Sequence, residues 1–200
     1  ATLHQDIFRT KDFEWTAYLN FSLNRGKMIS LPDGVSYIAN GTSQYSDIYT
    51  TCYLGESTTG IVGTDYLRND AGQVLVDENG YPRISPDKYN YLGNREPNCL
   101  LGLGSNLRWK DLSLSFLVDG RVGGKVANLT VRGLMINGMS EYIAQYRNHK
   151  VVFDGVVEQP DGTYVQNTTT VILDQQTYSN YTGGVASNFI EDGSYHRLSY

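Results

Sequence analysis

Residues 100–121, LLGLGSNLRWKDLSLSFLVDGR, alternate apolar and polar side chains, and the alternation passes through a turn without losing phase. With Lys110 and Asp111 as a two-residue turn, Trp109 faces Leu112, Leu107 faces Leu114, Ser105 faces Phe116 and Leu103 faces Val118. On the other side Arg108 meets Ser113, Asn106 meets Ser115, Gly104 meets Leu117 and Gly102 meets Asp119. That is a β-hairpin with one dry face. Each arm matches the roughly 9–11 residues that a tilted strand needs to cross a bilayer. A soluble sandwich gives the same alternation, so the pattern alone fixes only a one-sided antiparallel sheet.

Residues 12–24, DFEWTAYLNFSLN, repeat the pattern. Phe13, Trp15, Ala17, Leu19, Phe21 and Leu23 share one face, and Glu14, Thr16, Tyr18, Asn20, Ser22 and Asn24 share the other. The opening stretch ATLHQDIFR can pair with it through a three-residue loop of Arg9, Thr10 and Lys11, which sets Ile7 beside Phe13, Leu3 beside Ala17 and Ala1 beside Leu19. The cost of that register is Asp6 opposite Glu14, acceptable only on a solvated face.

The 200 residues, 40% hydrophobic, suffice for one domain with a core. The 21 Gly, 16 Tyr and many Asn, Ser and Thr lean towards β structure and long polar loops. A net charge of −5 spread along the chain leaves no basic stripe for a nucleic-acid partner. No run approaches the roughly 18 apolar residues of a membrane helix, so a bilayer could be met only as a barrel wall. Ala1 opens directly in a strand-like pattern rather than a signal peptide, the expectation being a chain that starts mid-protein. Cys52 and Cys99 lie in no metal or redox spacing; a disulfide and two unrelated thiols are both open. Sequons at Asn40, Asn128, Asn167 and Asn180 match the acceptor pattern but arise readily in Asn- and Thr-rich loops.

Two polar, tyrosine-rich excursions separate the strands, about 31–97 and 123–193. In the first, NDAGQVLVDENGYPRIS reads as a small hairpin closed at Glu78, Asn79 and Gly80; Asp77, Asn79 and Gly80 lack the further ligands of a calcium loop. In the second, Met135, Met139, Tyr142, Ile143 and Tyr146 form a stripe that predicts one helix over roughly 129–147, and VVFDGVVEQPDGTYVQNTT is hairpin-like around Pro160, Asp161 and Gly162. The layout is short turn, long loop, short turn, long loop. Outer-membrane barrels have this asymmetry, and Phe8, Phe13, Trp15 and Trp109, nearest the tight turns, stand where an interfacial girdle would lie.

Three stretches resemble the SusC/RagA-like, TonB-dependent outer-membrane transporters of Bacteroidetes. TKDFEWTAYLNFSLNRGKMISL is similar to a family strand reading K-x-F-x-W-x-x-x-x-N-F-S-x-N. YLGNREPNCLLGLGSNLRWKDLSLSFLVDGRVGGKV is similar to its G-N-x-x-P segment followed by F-D-L-S-F, and FIEDGSYHRLSY to its F-(I/V)-E-D-G-S-(F/Y)-x-R-L. His196 and Ser199 depart from the commoner residues there. The resemblance implies an all-β fold: antiparallel up-and-down strands at about 1–9, 12–24, 100–109, 112–121 and 195–200, forming part of a transmembrane β-barrel wall from its C-terminal third, with long extracellular loops and one short helix.

On that expectation Phe13, Trp15, Leu19, Phe21, Leu103, Leu107, Trp109, Leu112, Leu114, Phe116 and Val118 face lipid, while Glu14, Tyr18, Asn20, Asn106, Arg108 and Asp119 face a lumen. The implied partners are outer-membrane lipid, a SusD-like lipoprotein, TonB with ExbB/ExbD through N-terminal parts outside this chain, and a bulky glycan or peptide as cargo. Five crossing segments cannot close a barrel, since single-chain barrels begin at about eight strands. No enzyme is expected. His4, His149 and His196 are scattered, no hydrolase or phosphate-loop motif occurs, and Asp77–Glu78 and Glu191–Asp192 are turn neighbours poorly placed for acid–base work. No cofactor or metal is expected. The competing reading is a soluble, secreted β-sandwich, carbohydrate-binding or adhesin-like, that binds through its tyrosines.

Overall fold

The computed structural model describes residues 1–39 and 47–200; the Asn40 sequon lies outside them. In chain order the strands are β1 (Thr2–Arg9), β2 (Phe13–Ser22), β3 (Tyr37–Ala39), β4 (Ile48–Tyr53), β5 (Gly60–Gly63), β6 (Asn90–Asn94), β7 (Cys99–Trp109), β8 (Leu112–Val122) and β9 (Lys125–Ala127). Then come α1 (Leu129–Ile136), α2 (Glu141–Tyr146), β10 (Lys150–Val151), β11 (Val156–Glu158), β12 (Tyr164–Gln166), β13 (Val171–Ile172), α3 (Gln175–Tyr178), β14 (Ile190–Asp192) and β15 (Tyr195–Ser199).

The alternating segments make one antiparallel sheet in the order β1-β2-β7-β8-β15. Its central hairpin has the register that the alternation predicts, from Trp109 opposite Leu112 to Leu103 opposite Val118. Beside it Phe13 meets Trp109 and Leu19 meets Leu103, while Leu198 of β15 meets Val118. Lys110 turns the hairpin at φ 53°, a left-handed value uncommon outside glycine. Its N–H donates to Asp12 O at 2.8 Å and so ties the two short turns together. The sheet does not close on itself: β1 and β15 are its edges.

The pairing of β1 with β2 differs from the expected register. Thr10, Lys11 and Asp12 form the connection, Leu3 sits opposite Leu19 instead of Ala17, and an irregularity falls between Asp6 and Phe8. The physical gain is electrostatic and apolar at once. The irregularity puts Asp6 opposite Thr16, Phe8 opposite Trp15 and Arg9 opposite Glu14, where Arg9 Nε lies 3.8 Å from Glu14 Oε1. The like-charged Asp6–Glu14 pair is thereby avoided.

Both long excursions leave from the sheet end opposite the short turns, and they fold together into an ordered cap. The first supplies the four-stranded sheet β3-β4-β5-β6; the second supplies the helices and the two-stranded β10-β13 and β11-β12 pairs. Thr64 Oγ1 donates to Gly184 O at 3.2 Å and accepts from Ala186 N–H at 2.8 Å, the Tyr66 hydroxyl donates to Tyr181 O, and Val76 N–H donates to Val156 O at 2.8 Å. Among the described residues, every buried hydrophobic side chain lies in this cap, including Val62, Ile143, Leu173, Val185 and Phe189, and none lies in the five-strand sheet.

The expected single helix over 129–147 is two. Gly138, at φ 69°, ends the first helical segment in the left-handed region, and Ser140 caps the next by accepting from Ile143 N–H at 3.3 Å. The stripe divides accordingly: Met135 and Ile143 pack with Leu173 and Tyr178, whereas Met139, Tyr142 and Tyr146 are exposed. A third helix, α3, adds to the one short helix expected. The hairpins around Asn79 and Asp161 form as read. Asp77 Oδ1 accepts from the N–H groups of Asn79 and Tyr81, both at 2.9 Å, which is the ordinary turn use of that carboxylate.

Candidate functional site

The two faces of the five-strand sheet have opposite chemistry because every strand keeps period-two alternation. On one face rows of apolar side chains run across the strands: Phe8, Trp15, Leu107 and Leu114 in one, Leu3, Leu19, Leu103, Val118 and Leu198 in another. These side chains are open. Leu103 is 47% exposed, Leu112 65%, Leu114 54% and Leu198 63%, while Leu107 and Phe116 are half-buried by their neighbours alone. No second layer covers them among the described residues. The one hydroxyl near the centre of this face, Ser105, accepts from Trp15 Nε1 at 2.9 Å, which satisfies both polar groups within the apolar surface. At the short-turn end the tilted rings of Phe8 and Phe13 lie 5.9 Å apart and Lys110 Nζ lies 5.9 Å from the centre of the Trp109 ring.

The opposite face carries charge held in cross-strand pairs. Arg108 Nη2 donates to Glu14 Oε2 at 2.8 Å and Arg197 lies 2.8 Å from Asp119. Asn20 and Asn106 are exposed beside them. Tyr18 packs against Gly104, where an added Cβ would stand 1.9 Å from the ring's Cζ. The residues expected to face lipid therefore share one side, and those expected to face a lumen share the other.

Where this polar face meets the cap, a cavity of about 490 Å³ opens, lined by Arg95, Glu96, Arg121 and Lys125 together with Ile48 and Ile61. Arg121 is oriented by donating to Arg95 O at 2.7 Å and to Gly123 O at 3.3 Å. Arg95 Nη1 reaches Thr50 Oγ1 at 3.4 Å. Behind the same small sheet lies a tyrosine cluster: Tyr37 stands 5.4 Å from Tyr53 and 5.2 Å from Tyr89, Tyr49 is 5.4 Å from Tyr89, and Tyr91 meets Tyr53 edge-on at 6.4 Å. Burial raises the Tyr53 and Tyr91 phenols above their usual range, with the fields of Asp87 and Glu56 adding to it. Both hydroxyls stay protonated donors at neutral pH.

Other residues singled out in the sequence have structural partners. Asn128 caps α1 by accepting from Val131 N–H at 3.0 Å and donates to Glu191 at 3.0 Å. Asn167 is buried and donates to Phe153 O. Cys52 Sγ lies 2.9 Å from Thr58 O in the cap, and Cys99 opens β7 in a different sheet; the two do not bridge. His4 and His196 stand on opposite edge strands of the large sheet, far in sequence from His149 in the cap.

Two curated relatives, both from Formosa agariphila, bear on this arrangement. TonB-dependent receptor P26 is 27% identical over 217 aligned residues, 98% of this chain and 20% of the relative. TonB-dependent receptor P3 is 27% identical over 143 residues, 60% of this chain and 14% of the relative. The chain is similar to TonB-dependent receptors. It spans about a fifth or less of the length of these receptors, and no family model matches it.

Sequence reasoning missed the cationic cavity and the cluster of tyrosines. Arg121, near the end of β8, meets Arg95 and Lys125 only because the end of β6 and the start of β9 converge on it, and no short-range pattern encodes that approach. The tyrosines are spread over residues 37–91, and only the pairing of β3 to β6 gathers them.

Proposed function

We propose that this chain is a stretch of an outer-membrane, TonB-dependent importer of bulky nutrients, oligosaccharide or peptide, of the SusC/RagA-like kind and from the C-terminal part of its barrel. The observation that carries the reading is the sheet whose apolar side chains remain open on one face while ion pairs line the other. A wall between hydrocarbon and an aqueous lumen asks for that division, and the strand lengths fit a tilted crossing of an apolar band about 25 Å tall. The similarity to TonB-dependent receptors supports it. Phe13, Trp15, Leu19, Phe21, Leu103, Leu107, Trp109, Leu112, Leu114, Phe116 and Val118 then face lipid, and Glu14, Tyr18, Asn20, Asn106, Arg108 and Asp119 face the lumen. The edges β1 and β15 pair with further strands of the same barrel, since an exposed edge would otherwise pair with other chains. The cap stands outside the cell, where its tyrosines and loop amides meet cargo and a SusD-like lipoprotein. TonB with ExbB/ExbD acts through other parts of the protein, as an energy source and not as a cofactor of this stretch.

The test uses single cysteines in the full-length protein, in a background with Cys52→Ala and Cys99→Ser, each labelled with an environment-sensitive fluorophore. A label at Leu103→Cys or Phe116→Cys is expected to be quenched by a lipid-borne quencher, and one at Asn106→Cys or Ser115→Cys by an aqueous quencher only. Equal aqueous quenching at all four positions would overturn the reading.

A further inference from the structure

We propose that the cavity between the head of β8 and the small sheet is a binding site for a carboxylate, held by Arg95, Arg121 and Lys125. This deepens the import reading and rests on it: it gives the cargo a negative charge. Three cations converge on one cavity, and none lies within 4.0 Å of a carboxylate oxygen among the described residues. Two acids stand nearby, Glu96 on the cavity wall and Asp192 opposite Lys125 in the β9–β14 pair, where the charges of Lys125 and Arg121 add to the Ser194 hydrogen bonds that hold its carboxyl low. Neither closes an ion pair among the described residues, and three cations against two acids leave net positive charge at the cavity. Glu96 Oε1 accepts from Asn24 Nδ2 at 3.0 Å and its Oε2 from Gly26 N–H at 3.3 Å, while Asp192 Oδ1 accepts from Ser194 N–H at 2.8 Å. Gathering like charges is unfavourable unless an anion joins them, and the apolar walls formed by Ile48 and Ile61 strengthen any such attraction by lowering the local dielectric.

The cations are also placed by the backbone. Lys125 lies against Gly93, where a Cβ would come 2.7 Å from Lys125 Cγ, and Gly93 sits at φ 140°. Arg121 is fixed through Nη2 and Nε to main-chain carbonyls, which leaves Nη1 for a ligand. A guanidinium so restrained loses little freedom on meeting a carboxylate, and its planar fork suits the two oxygens. The volume of about 490 Å³ lies within the range of small-molecule sites and admits the end of an oligomer rather than a whole one.

A carboxylate could belong to an acidic sugar or an acidic peptide, and the test separates them. Binding to the purified full-length protein in detergent is measured by calorimetry with trigalacturonate, its fully methyl-esterified form, and the N-acetylated, C-amidated tripeptides of glutamate and of glutamine. One of the two charged probes is expected to bind, its neutral counterpart to bind at least about ten-fold more weakly, and added salt to weaken the charged probe alone. Lys125→Gln and Arg95→Gln are each expected to weaken it about ten-fold or more, as loss of a charge-assisted contact does. Equal affinity for charged and neutral probes, no binding of either charged probe, or unchanged affinity in both variants would overturn the proposal. The wild-type comparison needs no variant to fold. Lipid quenching at Leu103→Cys and Phe116→Cys reports on the barrel reading independently, so the two can fail separately.

Discussion

Replacing Val118 by arginine probes the sheet where the membrane reading demands most of it. Val118 is flanked by Leu103 and Leu198 in neighbouring strands and is 42% exposed. Leu112 borders the short turn, and each two-residue step along a strand rising about 3.3 Å per residue at about 45° of tilt adds about 5 Å of depth. Phe116 then lies about 9 Å and Val118 about 14 Å into an apolar band about 25 Å tall, which puts both near its midplane. Arginine there is expected to cost about 2–4 kcal/mol, and Leu112→Arg near the interface about 0–1 kcal/mol. Leu114→Arg falls between. Ser115→Arg, on the opposite face across from Asn106, is expected to change little, within about 0.5 kcal/mol. The assay is reversible refolding of the full-length protein into lipid vesicles against denaturant, with the outer-membrane fraction of cells as a second readout. A cost that fails to rise from Leu112 to Val118, or a Ser115→Arg penalty equal to that of Val118→Arg, would refute the assignment of the faces.

Three further outcomes follow from particular contacts. Gly104→Ala forces the Tyr18 ring off its seat and is expected to cost about 1–3 kcal/mol in the same refolding assay, a loss that Tyr18→Ala largely removes in the double variant. Tyr66→Phe deletes the hydroxyl that donates to Tyr181 O and accepts from Asn188 Nδ2 at 2.7 Å; a cost of about 1–3 kcal/mol should appear as faster amide exchange at Ala186 and Ser187, with the five-strand sheet unaffected. Asp161 has its carboxyl held below the usual carboxylate range, first by the Thr163 hydroxyl and then by the Thr163 N–H. Its folded value is depressed, so its contribution is present above the ordinary aspartate value of about 3.9 and is lost as pH falls through the folded value. The exchange protection of the Thr163 amide should decline across that acidic window, and Asp161→Ala should abolish the pH dependence.

The five-strand sheet was legible in the sequence, and the cap was not, for one physical reason. In 12–24 and 100–121 the period-two pattern is uninterrupted, so side-chain direction alone fixes which residues share a face, and a slip of one residue would invert the whole surface. The misread register of β1 shows the limit of that rule. Ala1, Leu3 and Ile7 are too sparsely apolar to fix pairing by themselves, and the charges of Asp6, Arg9 and Glu14 decided it through a local irregularity. The single helix expected over 129–147 failed at Gly138, which a periodicity argument treats as one weak residue and the backbone treats as a stop.

The cap is encoded differently, through contacts between residues more than a hundred positions apart. Thr64 meets Gly184 and Ala186, and Tyr66 meets Tyr181 and Asn188; neither excursion buries these groups without the other. That division has a consequence for folding. Every buried hydrophobic side chain among the described residues belongs to the cap, so the cap has an internal core to hold it, whereas the large sheet has only its cross-strand pairs until something covers its apolar face. On the membrane reading lipid supplies that cover. The sheet's stability is then a property of protein and bilayer together, and detergent exchange should loosen β1, β2, β7, β8 and β15 well before it loosens the packing of Ile143, Leu173 and Tyr178. The reverse order, with the sheet outlasting the cap in the absence of any amphiphile, would mean that those strands find their cover within the protein.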